Sequence, residues 1–239
     1  MLEPAADHEP STVGAPHHGG HARLPRHTRG MRIGLFGGTF NPPHPGHGLA
    51  SLIALKRLRL DAIWWLVTPG NPLKENSGLT PLATRIAAAR DIAKHPRIVV
   101  TGLEADIGTR FTHDTIDYLR KRCPGVRFVW IMGADNLRTF HRWQRWREIT
   151  KLVPIAVIDR PQSTLKGAQS RTASYLARWR LDEADGALLT SRGAPGFIFL
   201  HGPRSDMSST DLRAQGMGLQ GREPSYAGLT RVSINASQR

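Results

Sequence analysis

The chain has 239 residues, 39% of them hydrophobic and 7% aromatic, which is enough apolar material for one sizeable packed domain. No apolar run approaches the ~18 residues of a membrane span, and one cysteine excludes a disulfide framework, so we expect a cytoplasmic protein. The formal net charge is +14. Because the basic residues are spread along the chain, we expect small polyanionic substrates rather than nucleic acid or a membrane as partners.

The two ends of the chain differ in composition from its middle. Residues 1–30 hold five of the eleven histidines together with scattered proline and glycine, and their acidic and basic residues cancel. They lack the apolar core of a signal peptide, so a disordered extension is predicted. Residues 214–239 show little apolar periodicity and are predicted to be a mobile tail. The sequence therefore predicts one domain over residues 31–213.

Short apolar runs alternate with helical periodicity through this domain. Strands are predicted over residues 32–36, 62–67, 97–100, 126–132, 152–158 and 197–200. Helices are predicted over residues 49–60, 81–94, 112–119, 141–149 and 171–180, with Thr112 as a possible cap. Continuous apolar strands between helices indicate an α/β fold, a Rossmann-like parallel sheet with helices on both faces. Ligands of such sheets bind beyond the carboxyl ends of the strands.

The stretch from Gly37 to His47 follows the first predicted strand and precedes a helix, so it is predicted to be a loop. Gly37 and Gly38 allow backbone N–H groups to approach a ligand, and the N-terminus of the following helix favours an anion. His44 and His47 add two donors that can carry positive charge near neutral pH. These features predict a phosphate site. An ordinary turn and zinc ligation are the alternatives, although a closed zinc site requires four ligands.

A second candidate phosphate site follows the last predicted strand. Ser208, Ser209 and Thr210 can cap a helix and offer hydroxyl groups to phosphate, and Arg213 can bind phosphate oxygens as a fork. A capped helix with a surface arginine is the alternative interpretation. No GxGxxG run directly follows a predicted strand, and the sequence contains no GxxxxGK[ST] loop, so the sequence does not favour a dehydrogenase or a P-loop kinase.

The run Gly37-Gly38-Thr39-Phe40-Asn41-Pro42, followed by His44-x-Gly46-His47, resembles the signature of the HxGH nucleotidyltransferase superfamily. Within it, the closest resemblance is to the bacterial nicotinate-nucleotide adenylyltransferase family. Asn41 departs from the family's aspartate. The run Met207-Ser208-Ser209-Thr210-Asp211-Leu212-Arg213 resembles the family's second signature. The resemblance implies that Gly37, Gly38, Thr39, Phe40, Ser208, Ser209, Thr210 and Arg213 bind ATP and that His44 and His47 are catalytic.

Three further stretches resemble the same family. Arg110–Thr115 is similar to its SYTxDT segment, Gly133-x-Asp135 with Trp143 to its GxD…W segment, and Pro69–Lys74 to the loop after its second strand. The resemblance implies that Thr112, Trp143 and Lys74 bind the acceptor and that Gly133 and Asp135 lie near the nucleotide. Helix packing is the alternative for Trp143 and is favoured for Trp146. The basic run from Arg138 to Lys151 is predicted to be a solvated face.

The resemblance implies adenylyl transfer from ATP to nicotinate mononucleotide in NAD biosynthesis, with Mg²⁺ held mainly by the ATP phosphates and no protein metal site. Alternatives in the superfamily are a phosphopantetheine or nicotinamide mononucleotide acceptor, or cytidylyl transfer. A non-catalytic nucleotide- or RNA-binding protein is the alternative from another class. The sequence does not indicate the oligomeric state.

Overall fold

The computed structural model describes residues 22–70, 78–159, 170–202 and 212. Its strands are β1 (Arg32–Gly38), β2 (Ala62–Val67), β3 (Ile98–Thr101), β4 (Arg127–Gly133), β5 (Ile155–Ile158), β6 (Arg180–Leu181) and β7 (Phe197–Leu200). Within the described ranges these strands form one parallel sheet in the order β3-β2-β1-β4-β5-β7-β6. The predicted Rossmann-like parallel α/β fold is therefore confirmed.

Helices cover both faces of the sheet. They are α1 (Pro45–Arg57), α2 (Leu82–Ile92), α3 (Leu103–Asp106), α4 (Thr112–Arg122), α5 (Ala134–Thr139), α6 (Trp146–Leu152), α7 (Arg171–Leu176) and α8 (Leu189–Arg192). Short 3₁₀ segments span Phe140–Arg142, Ala177–Trp179 and Glu183–Leu188. None of the described helices combines the length and apolar character that crossing a bilayer would require.

The sheet separates two hydrophobic clusters because side chains along each strand alternate between its faces. On what we call face A, Leu35 of β1 packs with Ile116 of α4 and Leu137 of α5. On face B, Phe36 packs with Ala54 of α1 and Ala89 of α2. Every residue of β2 is buried, as expected for a strand covered on both sides.

The carboxyl ends of three neighbouring strands bring the candidate loops to one edge. Gly38 at the end of β1 is level with Val67 at the end of β2, and Phe36 is level with Ile131 of β4. The segments that follow these strands therefore start side by side. This edge is where a parallel sheet binds its ligands.

Two predicted helices differ from the structure. The predicted helix over residues 141–149 is interrupted because Arg145 adopts left-handed backbone angles (φ 53°, ψ 37°), and α6 begins only at Trp146. The predicted helix over residues 171–180 ends at Leu176, and Arg180–Leu181 instead pairs with β7 at the edge of the sheet. The predicted fifth strand begins later, at Ile155, because α6 continues to Leu152.

Part of the predicted N-terminal extension packs onto the fold. The Gly30 N–H donates to the Gly125 carbonyl at 2.9 Å, and the His27 ring meets the Trp64 ring edge-on at 5.9 Å. Leu24 packs, partly buried, against the face A cluster. Part of residues 22–30 therefore packs against the domain, whereas the sequence predicts a disordered extension over all of residues 1–30. Residues 1–21 and the predicted tail 214–239 lie outside the described ranges.

Candidate active site

The glycine pair lies at the end of β1 itself. A Cβ atom at Gly37 would come within 2.5 Å of Trp130 Cη2, so the indole ring of β4 packs directly against the backbone there. A Cβ at Gly38 would lie 3.3 Å from the Phe40 ring. Close packing thus requires glycine at position 37, whereas at position 38 a Cβ would make a tight contact with the Phe40 ring; both glycines also permit the ligand approach that the sequence suggests.

Thr39 and Phe40 turn the chain from β1 toward α1. Phe40 has a left-handed φ of 48°, a conformation that costs a non-glycine residue about 1–3 kcal/mol. Its ring is 2% exposed, stacks on Trp65 at a centroid distance of 4.9 Å and an angle of 15°, and lies 4.8 Å from the His47 ring. The Phe40 side chain is therefore occupied in packing against Trp65 and His47. A nucleotide can be bound by the backbone of Phe40 but not by its ring.

Both candidate catalytic histidines belong to the start of α1 rather than to the predicted loop. Pro45 is the first helical residue, which is a favourable position for proline, and His44 occupies the N-cap with an extended backbone. His47 therefore lies in the first turn. The histidine rings are in contact, with centroids 3.9 Å apart, and are 0% (His44) and 8% (His47) exposed. The helix N-terminus and both imidazoles thus face one small region.

A hydrogen bond orients the His47 ring. The backbone N–H of His44 donates to His47 Nδ1 at 3.1 Å. The same Nδ1 lies 3.3 Å from the His44 carbonyl oxygen, so both contacts tie this ring nitrogen to the backbone of the N-cap residue. Below it, Ser51 Oγ donates to the His47 carbonyl at 2.9 Å, and Trp65 Nε1 donates to Ser51 Oγ at 2.8 Å. This chain of hydrogen bonds ties the first turn of α1 to β2.

The candidate acceptor side lies on face A. Trp143 is half-buried, packing at 5.0 Å from Phe140 and edge-on to Trp130 at 6.0 Å. Trp130 therefore contacts both Gly37 and Trp143. Trp146 packs edge-on against Tyr175 at 4.9 Å, which agrees with the packing role favoured for it.

Thr112 is the first residue of α4, on the same face as Trp143. Phe111 occupies the N-cap position, so the prediction that Thr112 caps this helix is wrong. A buried carboxylate holds the preceding loop, because Thr115 Oγ1 donates to Glu104 Oε1 at 3.1 Å and lies 2.9 Å from Thr109 Oγ1. Burial raises the pKa of the Glu104 carboxyl, although hydrogen bonds from the Thr68 and Thr115 side chains act in the opposite direction. Sequence reasoning did not identify Glu104.

Gly133 and Asp135 follow at the end of β4. Gly133 is the last strand residue, level with Ile158 of β5, and Asp135 lies exposed in the first turn of α5. Since β4 neighbours β1, the Asp135 carboxylate lies at the same edge of the sheet as Gly37.

Arg85 is a second functional candidate that sequence reasoning missed. It lies on α2 and is 1% exposed. Its guanidinium donates to four backbone carbonyls, those of Thr39, Thr68, Pro69 and Thr80, at 2.7–3.2 Å. Two of these residues, Thr68 and Pro69, begin the loop after β2. Because the charge of Arg85 is satisfied by carbonyls dispersed along the chain, no local sequence pattern could have revealed it.

The remaining predicted site residues lie outside the described ranges: Lys74, Ser208, Ser209, Thr210 and Arg213. Of the stretch from Met207 to Arg213, only Leu212 is described, and it is 8% exposed. Among the residues that the structure describes, no three or more His, Cys, Asp or Glu side chains form a group able to hold a metal ion.

Comparisons with known proteins show the family to which the chain belongs. A family described as cytidylyltransferase-like matches residues 35–215. The curated "Probable nicotinate-nucleotide adenylyltransferase" of Bradyrhizobium sp. strain ORS 278 is 58% identical over 77% of this chain and 95% of its own length. A protein of the same name from Methylorubrum extorquens is 57% identical over 77% of this chain and 100% of its own length.

A solved structure supports the fold. It is the nicotinic acid mononucleotide adenylyltransferase of Plasmodium falciparum complexed with NaAD, which matches with a TM-score of 0.58 and 16% identity over 77% of this chain and 83% of that chain. On the strength of the family match and of relatives more than half identical over nearly their whole length, this chain belongs to the cytidylyltransferase-like family and, within it, to the nicotinate-nucleotide adenylyltransferases.

Proposed function

We propose that the chain transfers the adenylyl group of ATP to nicotinate mononucleotide. A phosphate oxygen of the mononucleotide forms a bond to the α-phosphorus, the bond from that phosphorus to the bridging oxygen breaks, and pyrophosphate leaves. The product is nicotinate adenine dinucleotide. The observation that carries the proposal is the pair of contacting imidazoles in the first turn of α1, at the carboxyl end of β1, in a chain 58% identical to a nicotinate-nucleotide adenylyltransferase.

The chemistry needs charge neutralisation and alignment rather than a protein nucleophile. The Cys123 thiol supports this view, because the residue is buried and burial raises its pKa. We assign His47 the role of donating from Nε2 to phosphate oxygens as charge develops, with His44 and the N-terminus of α1 adding to the positive field. The helix terminus and the histidines thus favour the transition state electrostatically.

The other proposed contacts follow from the placement of each residue. The exposed Asp135 carboxylate is suited to the ribose hydroxyls, and the half-buried Trp143 ring to stacking on the pyridinium. Thr112, at the start of α4, can donate to the nicotinate carboxylate. Lys74 is proposed to bind the acceptor, and Ser208, Ser209, Thr210 and Arg213 are proposed to complete the site around the ATP phosphates.

We propose Mg²⁺ as the accompanying cation, held mainly through the ATP phosphates. Asp135 is the one carboxylate among the described residues that the sequence predicts for the site, and Mg²⁺ favours sites built from few protein carboxylates and several phosphate oxygens. The bound ion would supply further neutralisation of phosphate charge. The single, buried cysteine suits a reducing compartment, and we propose the cytoplasm.

Pyrophosphate release provides the test. The purified chain is incubated with ATP and Mg²⁺ and with one acceptor at a time: nicotinate mononucleotide, nicotinamide mononucleotide or phosphopantetheine. We expect the highest kcat/KM with nicotinate mononucleotide. Preference for either other acceptor, or no release with any of them, would refute the proposal.

A further inference from the structure

We propose that Arg85 is a positioning residue for His47, acting through the backbone of Thr39 and the ring of Phe40. The inference rests on the proposed function and adds a residue remote from the reacting atoms. Arg85 is 1% exposed, and no carboxylate in the described ranges forms an ion pair with it. Burying a charge in this way is costly unless hydrogen bonds satisfy it.

The carbonyls that Arg85 binds belong to both loops at the strand ends. Nη1 donates to Thr39 O and to Thr68 O, each at 2.7 Å, and Nη2 donates to Pro69 O at 3.2 Å. Nε donates to Thr80 O at 2.7 Å, just before α2. A planar guanidinium with five fixed N–H donors can serve carbonyls in several directions at once, whereas a lysine ammonium offers three donors from one point.

Holding Thr39 O fixes the conformation of the next residue. The peptide unit is planar, so anchoring the Thr39 carbonyl also sets the direction of the Phe40 N–H. Phe40 has the strained φ of 48°, and such a conformation persists only where its surroundings over-determine it. Arg85 supplies that constraint from the Thr39 carbonyl, and the Trp65 stack supplies it from the ring.

Phe40 transmits the constraint to the candidate catalytic histidine. Its ring lies 4.8 Å from the His47 ring, and that ring is in turn oriented by the N–H of His44. A shift of Thr39 would therefore move Phe40 and release one side of His47. The same guanidinium holds Thr68 and Pro69, so the loop that leads toward Lys74 starts from a point fixed relative to the glycine turn.

The test compares Arg85→Lys with Arg90→Lys, which makes the same change at an exposed position of the same helix. In the pyrophosphate assay, we expect Arg85→Lys to lower kcat by up to about 100-fold, the loss that a ~1 Å misplacement can cause. The fall in kcat should exceed any rise in the KM for nicotinate mononucleotide, because the Thr39 carbonyl leads to His47, whereas Trp143 packs on the other face of the sheet. Arg90→Lys should match the wild type.

The same substitution in a His47→Ala background separates positioning from general damage. If Arg85 acts through His47, Arg85→Lys should lower kcat little further once the imidazole is gone. Equal losses in both backgrounds, or an unchanged kcat in the Arg85→Lys single variant, would overturn the inference. If Arg85→Lys did not fold, the variant Phe40→Leu would test the inference instead. This variant removes the ring that contacts His47 and leaves the guanidinium of Arg85 in place. A lowered kcat in that variant supports the inference, and a wild-type kcat overturns it. An inactive wild-type protein would instead refute the proposed function.

Discussion

A methyl group at position 37 would collide with the indole ring of Trp130, which also packs against Trp143. In Gly37→Ala, the new Cβ would lie 2.5 Å from Trp130 Cη2 and 3.0 Å from Cζ2. Favourable carbon–carbon contacts lie at about 3.5–4.0 Å, so the ring or the strand must move by ~1 Å. Trp130 is 1% exposed in a packed cluster and has no room to rotate away.

Overpacking of this kind costs about 1–3 kcal/mol. For a domain of this size each kcal/mol shifts the melting temperature by about 2–4 °C, so a loss near the middle of that range should lower Tm by ~4–8 °C. Circular dichroism during heating measures Tm. Because Trp130 also supports Trp143, the KM for nicotinate mononucleotide should rise in the pyrophosphate assay.

Gly48→Ala is the matched control, since its Cβ would meet nothing closer than the Ile92 carbonyl at 3.9 Å. Alanine is favoured over glycine within a helix, so this variant should be as stable as the wild type or up to ~1 kcal/mol more stable. The double variant Gly37→Ala/Trp130→Phe should lose less stability than the sum of the two single variants. A Tm for Gly37→Ala equal to that of the wild type, or strict additivity in the double variant, would refute the packing argument.

Three other substitutions probe the chemistry and the buried carboxylate. His47→Ala should lower kcat by about 10²–10³-fold, the loss seen when one transition-state donor is removed, with unchanged circular dichroism; a near-normal kcat would remove His47 from the mechanism. Trp143→Ala should raise the KM for nicotinate mononucleotide by about 10-fold or more, in line with ~2 kcal/mol for a desolvated cation–π contact, and an unchanged KM would leave Trp143 with packing alone. For Glu104, burial raises the carboxyl pKa above its ordinary 4.5, so the folded state retains the proton more strongly than the unfolded state. The free energy of unfolding should therefore fall as pH rises from 4.5 through the raised pKa, and Glu104→Gln, measured by urea unfolding across that range, should abolish this fall; identical pH profiles would contradict the assignment.

The longer strands were predictable because each is built on a run of mostly apolar residues. The run from Ala62 to Val67 is β2 from end to end, and Phe197 to Leu200 is β7. Burial on both faces produces such runs, and it follows from the parallel fold itself. The two-residue strand Arg180–Leu181 was not predicted, because it is defined by its pairing with β7 and is too short to show a periodicity of its own.

The start of α1 was predictable in principle from Pro45, which suits the first position of a helix. The apolar periodicity begins only at Leu49, so it predicts a helix that starts four residues too late. The break at Arg145 had no comparable signal, because its left-handed conformation is imposed by the surrounding fold.

The site was predictable where it depends on local motifs and unpredictable where it depends on distant backbone. His44 and His47 lie three residues apart, and their contact follows from one helical turn. From the sequence, Arg85 would be interpreted as a surface charge on an amphipathic helix. Only folding brings its Nη1 atom to 2.7 Å from the carbonyl oxygen of Thr39, which is 46 residues away in the chain. Glu104 is hidden in the same way, since its partner Thr115 belongs to the next helix.

The indole ring of Trp130 packs against both Gly37 and Trp143. With the roles proposed for Gly37 and Trp143, donor selectivity and acceptor selectivity would be coupled through one buried indole. Truncating Trp143 to enlarge the proposed acceptor pocket would then also loosen the turn that is proposed to face the donor nucleotide. Redesign of the site for a bulkier pyridine analogue should therefore begin with residues that do not pack against Trp130.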